Sequence, residues 1–325
     1  MKKEDAPLSL GARLHLATGY MRLARMLQRF GVGFALLLLV SIAGILQPIF
    51  LEPSNILSVL RQVSITGTVA VGMTFVIISG GIDLSVGSIV GLAGMLAIMF
   101  QSYGLVVSIG MALAVGALVG MANGHGVAKG IVPFLMTLAT MTGVRGIAFM
   151  VSDGFPVMGA SEAYAWIGAG HVAGIPVPVL ILGFTVAVGY FILEWTTFGR
   201  SVYAVGGNAE AARLAGINLG RNRIYVYGIS GLLSGVAGVV ITARMTSCDP
   251  SVGGMFELDA IAATVIGGTN ISGGEGKVIR TLIGSLIMGV LANIMNLTNV
   301  SPYPQQVVKG LIILGAVVMD KMKQR

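Results

Sequence analysis

The chain has 325 residues, of which 55% are hydrophobic and only 10% charged, and its mean hydropathy is +0.90. An ordinary soluble domain carries about 25% charged residues, so a water-soluble globular fold could not cover its surface with so few, whereas a bilayer removes that need. The net charge is +7 and the only cysteine is Cys248, which excludes a disulfide framework and a zinc cluster built on thiolates.

Residues 1–29 carry Lys2, Lys3, Arg13, Arg22, Arg25 and Arg29 with no small-residue cleavage site after them, so they read as a retained segment rather than a signal peptide. Within them, Ala12 to Arg29 mixes Arg with Leu, Met and Tyr and predicts an amphipathic helix lying on the inner leaflet. A spanning helix needs about 20 mostly apolar residues. Phe30–Leu51 is the first such segment, and Val63–Ser79 the second. Leu84–Ala128 contains no charged residue and is too long for one helix, so it divides at Gln101–Gly104 into spans of 87–101 and 105–122. Ile131–Val151 is interrupted only by Arg145, residues 152–176 read as a loop, and Val177–Trp195 is the sixth span. The polar, basic stretch 196–223 is a second loop, Ile224–Thr242 a span, and 243–257 a third loop. Leu258–Gly268, Thr281–Leu297 and Gln306–Met319 bring the total to ten hydrophobic segments. The 48 glycines suit this reading, because small residues let membrane helices approach closely.

Alternating the ten segments from a cytoplasmic N-terminus places 16 of the 20 Lys and Arg on the cytoplasmic side, leaving Arg61, Arg145, Arg244 and Lys309 elsewhere. The basic pI near 9.7 is therefore a topology signal, with both termini inside. Nucleic-acid binding would need a soluble segment large enough to build a basic reading face, and none is present in this sequence. The expected organisation is a cytoplasmic segment over 1–29, a transmembrane domain over 30–320 with a cytoplasmic loop at 196–223, and a short tail at 321–325.

Three segments carry the chemistry. In Ile78–Gly87 a glycine pair followed by Asp83 and Ser85 breaks the helix between two spans. Asp83 either N-caps the following span or stands on a path through the membrane. In 197–217, Gly206–Gly207 predicts a turn, Asn208 an N-cap, 209–215 a short helix and Gly216 a left-handed stop. A short helix between glycine hinges is either a connector or the part of a pore that receives force from a soluble partner. The third segment is Leu258–Lys277, where Gly267–Gly274 and Gly80–Gly87 both fit Gly-Gly-x-Asp/Asn-aliphatic-Ser-x-Gly, as an internal repeat would.

No catalytic motif is found. Gly276–Lys277 resembles the end of a phosphate loop, but Val278 stands where Ser/Thr is needed and Ile271 where the leading Gly is needed. His15, His125 and His171 lack metal-ligand spacing. The chain is thus expected to be a transport protein, not an enzyme, with no cofactor of its own.

At these three segments the sequence resembles the ribose-type permeases of bacterial ABC importers. The residues that carry the likeness are Gly80–Gly87, Tyr203–Asn208 with Ala211–Ile217, and Glu257–Ala263 with Gly267–Thr269, within a likeness that runs from about Leu39 to Asp320. The resemblance implies an all-α polytopic membrane protein of about ten transmembrane helices, with the type II (vitamin B12 importer-like) permease fold, in a bacterial inner membrane. It implies a dimer with an identical or related permease, two cytoplasmic ATPase subunits that bind ATP and Mg, and a periplasmic sugar-binding protein. It also implies that 206–217 is the coupling segment, which selects Arg200, Gly206, Gly207, Asn208, Glu210, Arg213 and Gly216. Ala209 stands where such permeases often carry Glu.

A sugar passing through must exchange water hydrogen bonds for side-chain ones. Asp83, Ser85, Thr137, Arg145, Asp259, Asn293 and Asn296 are therefore candidates for the path. Thr137 with Thr140, and Asn293 with Asn296, lie three apart on one helix face, where they either meet the solute or bond neighbouring helices. Arg145 needs a partner, for which Asp83 and Asp259 are candidates. Arg61 and Arg244 are candidates for docking the binding protein on the outer loops. An ion-coupled carrier and a channel for a small polar solute are the alternatives. A carrier predicts carboxylates and helix breaks near the span centres, whereas the glycine breaks here are expected at the inner ends.

Overall fold

The computed structural model describes residues 31–159 and 161–323, so the expected inner-leaflet helix at 12–29 lies outside the described residues. The described chain is helical apart from four two-residue strands. The helices are α1 (Gly31–Leu46), α2 (Pro53–Ile78), α3 (Val86–Met99), α4 (Leu105–Ala128), α5 (Pro133–Val151), α6 (Glu162–Ala169), α7 (Val177–Trp195), α8 (Thr197–Gly207), α9 (Ala209–Leu214), α10 (Leu219–Met245), α11 (Phe256–Ile266), α12 (Val278–Leu297) and α13 (Pro302–Lys323). Each of the ten predicted hydrophobic segments contains a helix. Among the described residues, seven are long and apolar enough to cross a membrane: α2, α3 with its 3-10 extension to Tyr103, α4, α5, α7, α10 and α12. The chain is a multi-pass membrane protein.

Several boundaries differ from expectation for local reasons. Pro53 and Pro133 sit in the first turns of α2 and α5, where a missing N–H costs nothing, so α2 starts ten residues before the apolar run. Polarity placed the start of α10 at Ile224, but Asn218 accepts from the Arg221 N–H and begins the helix at Leu219. The 152–176 segment is not an open loop. It holds β1 (Val157–Met158), α6 and a hairpin of β2 (His171–Val172) with β3 (Ile175–Pro176), while β1 pairs antiparallel with β4 (Ser247–Cys248). Tyr164 of α6 is fully buried, and its hydroxyl lies 2.7 Å from that of Thr242 on α10.

Glycine sets the contact between α4 and α10. Along α4, Gly116 and Gly120 face Gly231 and Gly235 of α10, four residues apart on each helix. A Cβ at Gly120 would overlap the Tyr227 carbonyl, and one at Gly231 the Gly116 carbonyl. Such spacing brings backbones together and gains dispersion contacts that lipid cannot match.

A buried polar network fixes the centre. Asp83 has no solvent exposure. Its carboxylate accepts from the Ser85 N–H at 3.0 Å, the Ser85 hydroxyl at 2.6 Å and the Ser230 hydroxyl at 2.9 Å. Asn123 of α4 donates to the Ser85 hydroxyl at 2.8 Å, and Thr140 of α5 donates to Asn123 at 2.6 Å. Ser230 lies eleven residues into α10, about 16 Å along its axis. The chain after the Gly80 stop therefore climbs into the bundle, and Asp83 reaches the middle of α10. Asp83 stands two residues before the α3 N-cap, Ser85, and makes an Asx-type turn there rather than capping the helix.

Two outcomes follow for denaturation in detergent. Gly120→Leu should destabilise the fold by about 3 kcal/mol, because no flexible side chain faces it and two backbones must part. Asp83→Ala should cost about 3 kcal/mol by stranding buried donors, and Asp83→Asn should recover more than half of that loss, since its carbonyl still accepts.

Candidate functional site

The three segments singled out in the sequence meet at one end of the bundle. This basic end gathers Lys129, Arg200, Arg213, Arg221, Arg223, Lys277 and Arg280, all on or beside the connections there. α2 ends in a left-handed glycine, Gly80 (φ 81°), with the Gly81 N–H donating to the Val76 carbonyl. α11 ends in the same way at Gly268 (φ 86°), with the Thr269 N–H donating to Thr264. Both are Schellman-type stops. The helix stop thus repeats one residue out of the predicted alignment, Gly80 matching Gly268 and not Gly267. The Asx turn of Asp83 with Ser85 does recur at Asn270, whose side chain accepts from the Ser272 N–H at 2.8 Å.

Between the end of α2 and the connection after α11 lies the end of α8. Gly206 and Gly207 form its last turn and not the turn expected between helices. At Gly206 the backbone is pressed so closely on Ile78 and Gly274 that a Cβ would overlap the Ile78 carbonyl and come within 2.6 Å of the Gly274 nitrogen. The Gly274 N–H donates to that same carbonyl at 2.8 Å. Gly273 (φ 93°) is held against Gly80, where a Cβ would be 3.0 Å from its nitrogen. The Tyr203 hydroxyl donates to the Gly276 carbonyl at 2.9 Å. Burial pushes that hydroxyl up to about 12, and the nearby Glu194 carboxylate adds to the shift, so it remains a donor at neutral pH.

Beyond this wedge the chain turns outward. Asn208 caps α9 by accepting from the Ala211 N–H at 2.9 Å, and Gly216 (φ 83°) closes it, both as the residue types predict. Glu210 and Arg213 are exposed and pair with each other at 2.5 Å. Arg200 is exposed on α8. The exposed face of α8–α9 therefore carries charge, while its glycine end touches the end of α2 and the connection after α11.

The candidate path residues do not line one channel. Asp83 and Ser85 are engaged in the central network. Thr137 is buried and donates to the Pro133 carbonyl at 3.0 Å. Asn293 exchanges hydrogen bonds of 2.9 and 3.0 Å with Asn55, tying α12 to α2, and Asn296 accepts from Gln305 at 2.8 Å. Arg145 pairs with neither Asp83 nor Asp259. Its guanidinium donates to the Pro250 and Val252 carbonyls at 2.7 Å each. It holds the 246–255 connection, which descends beside α3 from Gly91 to Gly87, so that α11 begins inside the bundle. No periodicity in the sequence signals this re-entry; its traces are Gly87, Gly91 and the charge at Arg145. Asp249 braces the connection by accepting from the Ser251 hydroxyl and N–H, and the first of these bonds chiefly holds its carboxyl below the usual range.

Asp259 forms an ion pair with Lys309 of α13, with Nζ–O distances of 2.8 and 2.9 Å. At the opposite end, Arg61 lies 2.7 Å from the His171 ring in the β2–β3 hairpin, and Arg244 is exposed at the end of α10. Among the described residues no cluster of His, Cys, Asp and Glu has the arrangement of a metal site.

The profile of the family described as "Branched-chain amino acid transport system / permease component" matches residues 55–317. The chain is 48% identical over 302 residues to the ribose import permease protein of Bacillus subtilis (strain 168), covering 91% of this chain and 94% of that protein. It is 43% identical over 297 residues to the ribose import permease protein of Escherichia coli (strain K12), covering 89% and 92%. It is 40% identical over 304 residues to the L-arabinose transport system permease protein of Escherichia coli (strain K12), covering 93% of each. No solved structure matches the chain. With a bundle of apolar helices, a glycine-wedged segment at its basic end and relatives of matching length, the chain belongs to the family of branched-chain amino acid transport system permease components.

Proposed function

We propose that the chain is the membrane-spanning subunit of an ATP-driven, binding-protein-dependent importer of a monosaccharide, with ribose the first substrate to test. The observation that carries the mechanism is the wedge of Gly206 between the Ile78 carbonyl and Gly274. The relatives named as ribose and arabinose permeases support the substrate class.

In this reading ten helices cross the membrane in a type II importer arrangement. α1, the half-length α11 and α13 join the seven long apolar helices as crossings. The basic end faces the cytoplasm with both chain termini, as the distribution of Lys and Arg favours. The chain pairs with a second permease subunit, identical or related. Two ATPase subunits beneath the pair bind ATP and Mg, and a sugar-loaded binding protein docks on the opposite end.

The coupling step belongs to α8–α9. The exposed Arg200, Asn208, Glu210, Arg213 and Gly216 lie on the segment that enters a groove of the ATPase. Closure of the ATPase dimer moves this segment as a unit, because α9 is capped at both ends. The movement reaches the end of α2 directly and α11 through the connection that follows it, since Gly206 and Gly207 bear on Ile78 and Gly274. Domain motion at close-packed backbone contacts tends to be bistable rather than graded. Arg61 and Arg244 serve the docking end, where carboxylates of the binding protein meet them.

The double substitution Arg213→Glu with Gly207→Pro should abolish stimulation of ATP hydrolysis by the loaded binding protein while the subunit still inserts and binds its ATPase. Normal uptake in that variant would remove the coupling assignment. Gly206→Val should act more severely, lowering ATP-dependent uptake about 100-fold, because the wedge costs the roughly 3 kcal/mol of an overpacked contact. Uptake in proteoliposomes containing both partner proteins measures each effect.

A further inference from the structure

A cavity of about 620 Å³ opens between α2, the end of α10, the start of α11 and α13. Its size falls within the roughly 300–1,000 Å³ of small-molecule sites. Its wall includes Gln62, Thr66, Asp259, Lys309, Gln306 and the ring of Phe256. A narrower space shares Gln62, Thr66, Asp259 and Lys309 and extends toward Ala263, Ser285 and Ala292. The cavity thus continues along α11 and α12 toward the basic end.

We propose that this cavity is the binding station for the transported solute, and that it takes a neutral polyhydroxylated molecule of monosaccharide size. The inference rests on the importer reading and adds to it the residues that hold the cargo. Four observations carry it. First, the connection before α11 is irregular backbone inside a membrane bundle, and such backbone is tolerated where it is buried in protein or lines a wet cavity. Here Gly254 and Met255 (φ 68°) form part of the wall. Second, α11 is an interrupted helix whose first turn faces the space, the arrangement in which membrane transporters hold their solutes.

Third, the polar groups suit hydroxyls. Gln62 and Gln306 make no side-chain hydrogen bond among the described residues, so each amide presents a donor and an acceptor to the space. Asp259 and Lys309 are each other's counter-ion. With Arg244, which also lines the wall, they offer acceptor oxygens from one carboxylate and N–H donors from an ammonium and a guanidinium, a set that matches the hydroxyls of a polyol. Fourth, the Phe256 ring supplies a flat apolar surface for the C–H face of a sugar ring. The path residues expected from the sequence contribute only Asp259 to this wall; the amides come from positions that carried no motif.

The test uses the assembled transporter in proteoliposomes with its ATPase and binding protein. Gln62→Leu with Gln306→Leu should lower ribose uptake about tenfold, as loss of two modest hydrogen bonds to the solute predicts. ATP hydrolysis stimulated by loaded binding protein should stay within about twofold, so that sugar carried per ATP falls by a similar factor to uptake. A structural role alone would move both rates together. A second arm places Gln306→Cys in a Cys248→Ser chain and labels the introduced thiol with a small cationic thiosulfonate. Ribose at high concentration should slow that labelling at least threefold. Unchanged sugar per ATP with unprotected labelling overturns the proposal. Equal loss of uptake and hydrolysis, without protection, overturns it too. If the wild-type complex imports no ribose, the importer reading for this sugar fails. Protection of the thiol by ribose would then still uphold the cavity, and its absence would overturn it.

Discussion

A carboxylate with no exposure must be met by donors, and meeting that need organises the centre of this bundle. Asp83 recruits Ser85 from its own turn and Ser230 from the middle of α10. Through Ser85 it reaches Asn123 and Thr140, so the break after α2 is tied to α10, α4 and α5 at once. The Ile82 carbonyl next to it receives the Tyr227 hydroxyl at 3.3 Å. Moving Asp83 by even a few ångströms would strand several buried groups, each worth about 1–3 kcal/mol. The start of α3 is consequently held deep in the bundle, and the rest of the architecture is arranged around that depth.

Because α3 starts deep and carries glycine at 87 and 91, the connection from α10 can lie against it and run inward from the opposite end. Arg145 fastens that connection through two backbone carbonyls, which satisfies the guanidinium without a carboxylate partner. α11 therefore begins inside the bundle and has length for only part of a crossing. It ends in the same kind of glycine stop as α2, and α8 is pressed between Ile78 of α2 and Gly274 in the connection after α11. Depth at Asp83, re-entry at 246–255 and contact at Gly206 are successive consequences of one geometric arrangement.

Glycine has two different jobs in this arrangement. Between α4 and α10 it permits close approach over several turns and makes a stiff pair. At Gly206, Gly273 and Gly274 it permits backbone to touch backbone at single points without interlocking side chains. The exposed charges of α9 and the close glycine contacts of α8 lie on one continuous segment, the first facing outward and the second against the bundle. Polar side chains divide similarly. Most hydroxyls within the helices bond a carbonyl three or four residues back in their own helix and a smaller set bridges helices, whereas the groups around Asp259 face open space.

Apolar length and the side preference of Lys and Arg are one-dimensional properties, so the membrane class, the number of apolar segments and the basic end could be read from the sequence alone. So could the local stops, since Asn208 and Gly216 act through bonds to residues three or four positions away. The three motif segments and the family resemblance were equally legible. What only the tertiary structure decided concerns pairs far apart in the chain. Hydropathy is blind to depth, and so to Asp83 lying opposite Ser230, and spacing along a helix could not say that Asn293 pairs with Asn55. Charge rules suggested a carboxylate for Arg145, but two carbonyls of a re-entrant connection serve as well, and no periodic pattern marks such a connection. The repeat at Gly80 and Gly267 was visible as letters. That its Asx turn keeps the predicted register while its helix stop shifts by one residue depended on which carbonyl each helix end had left to satisfy.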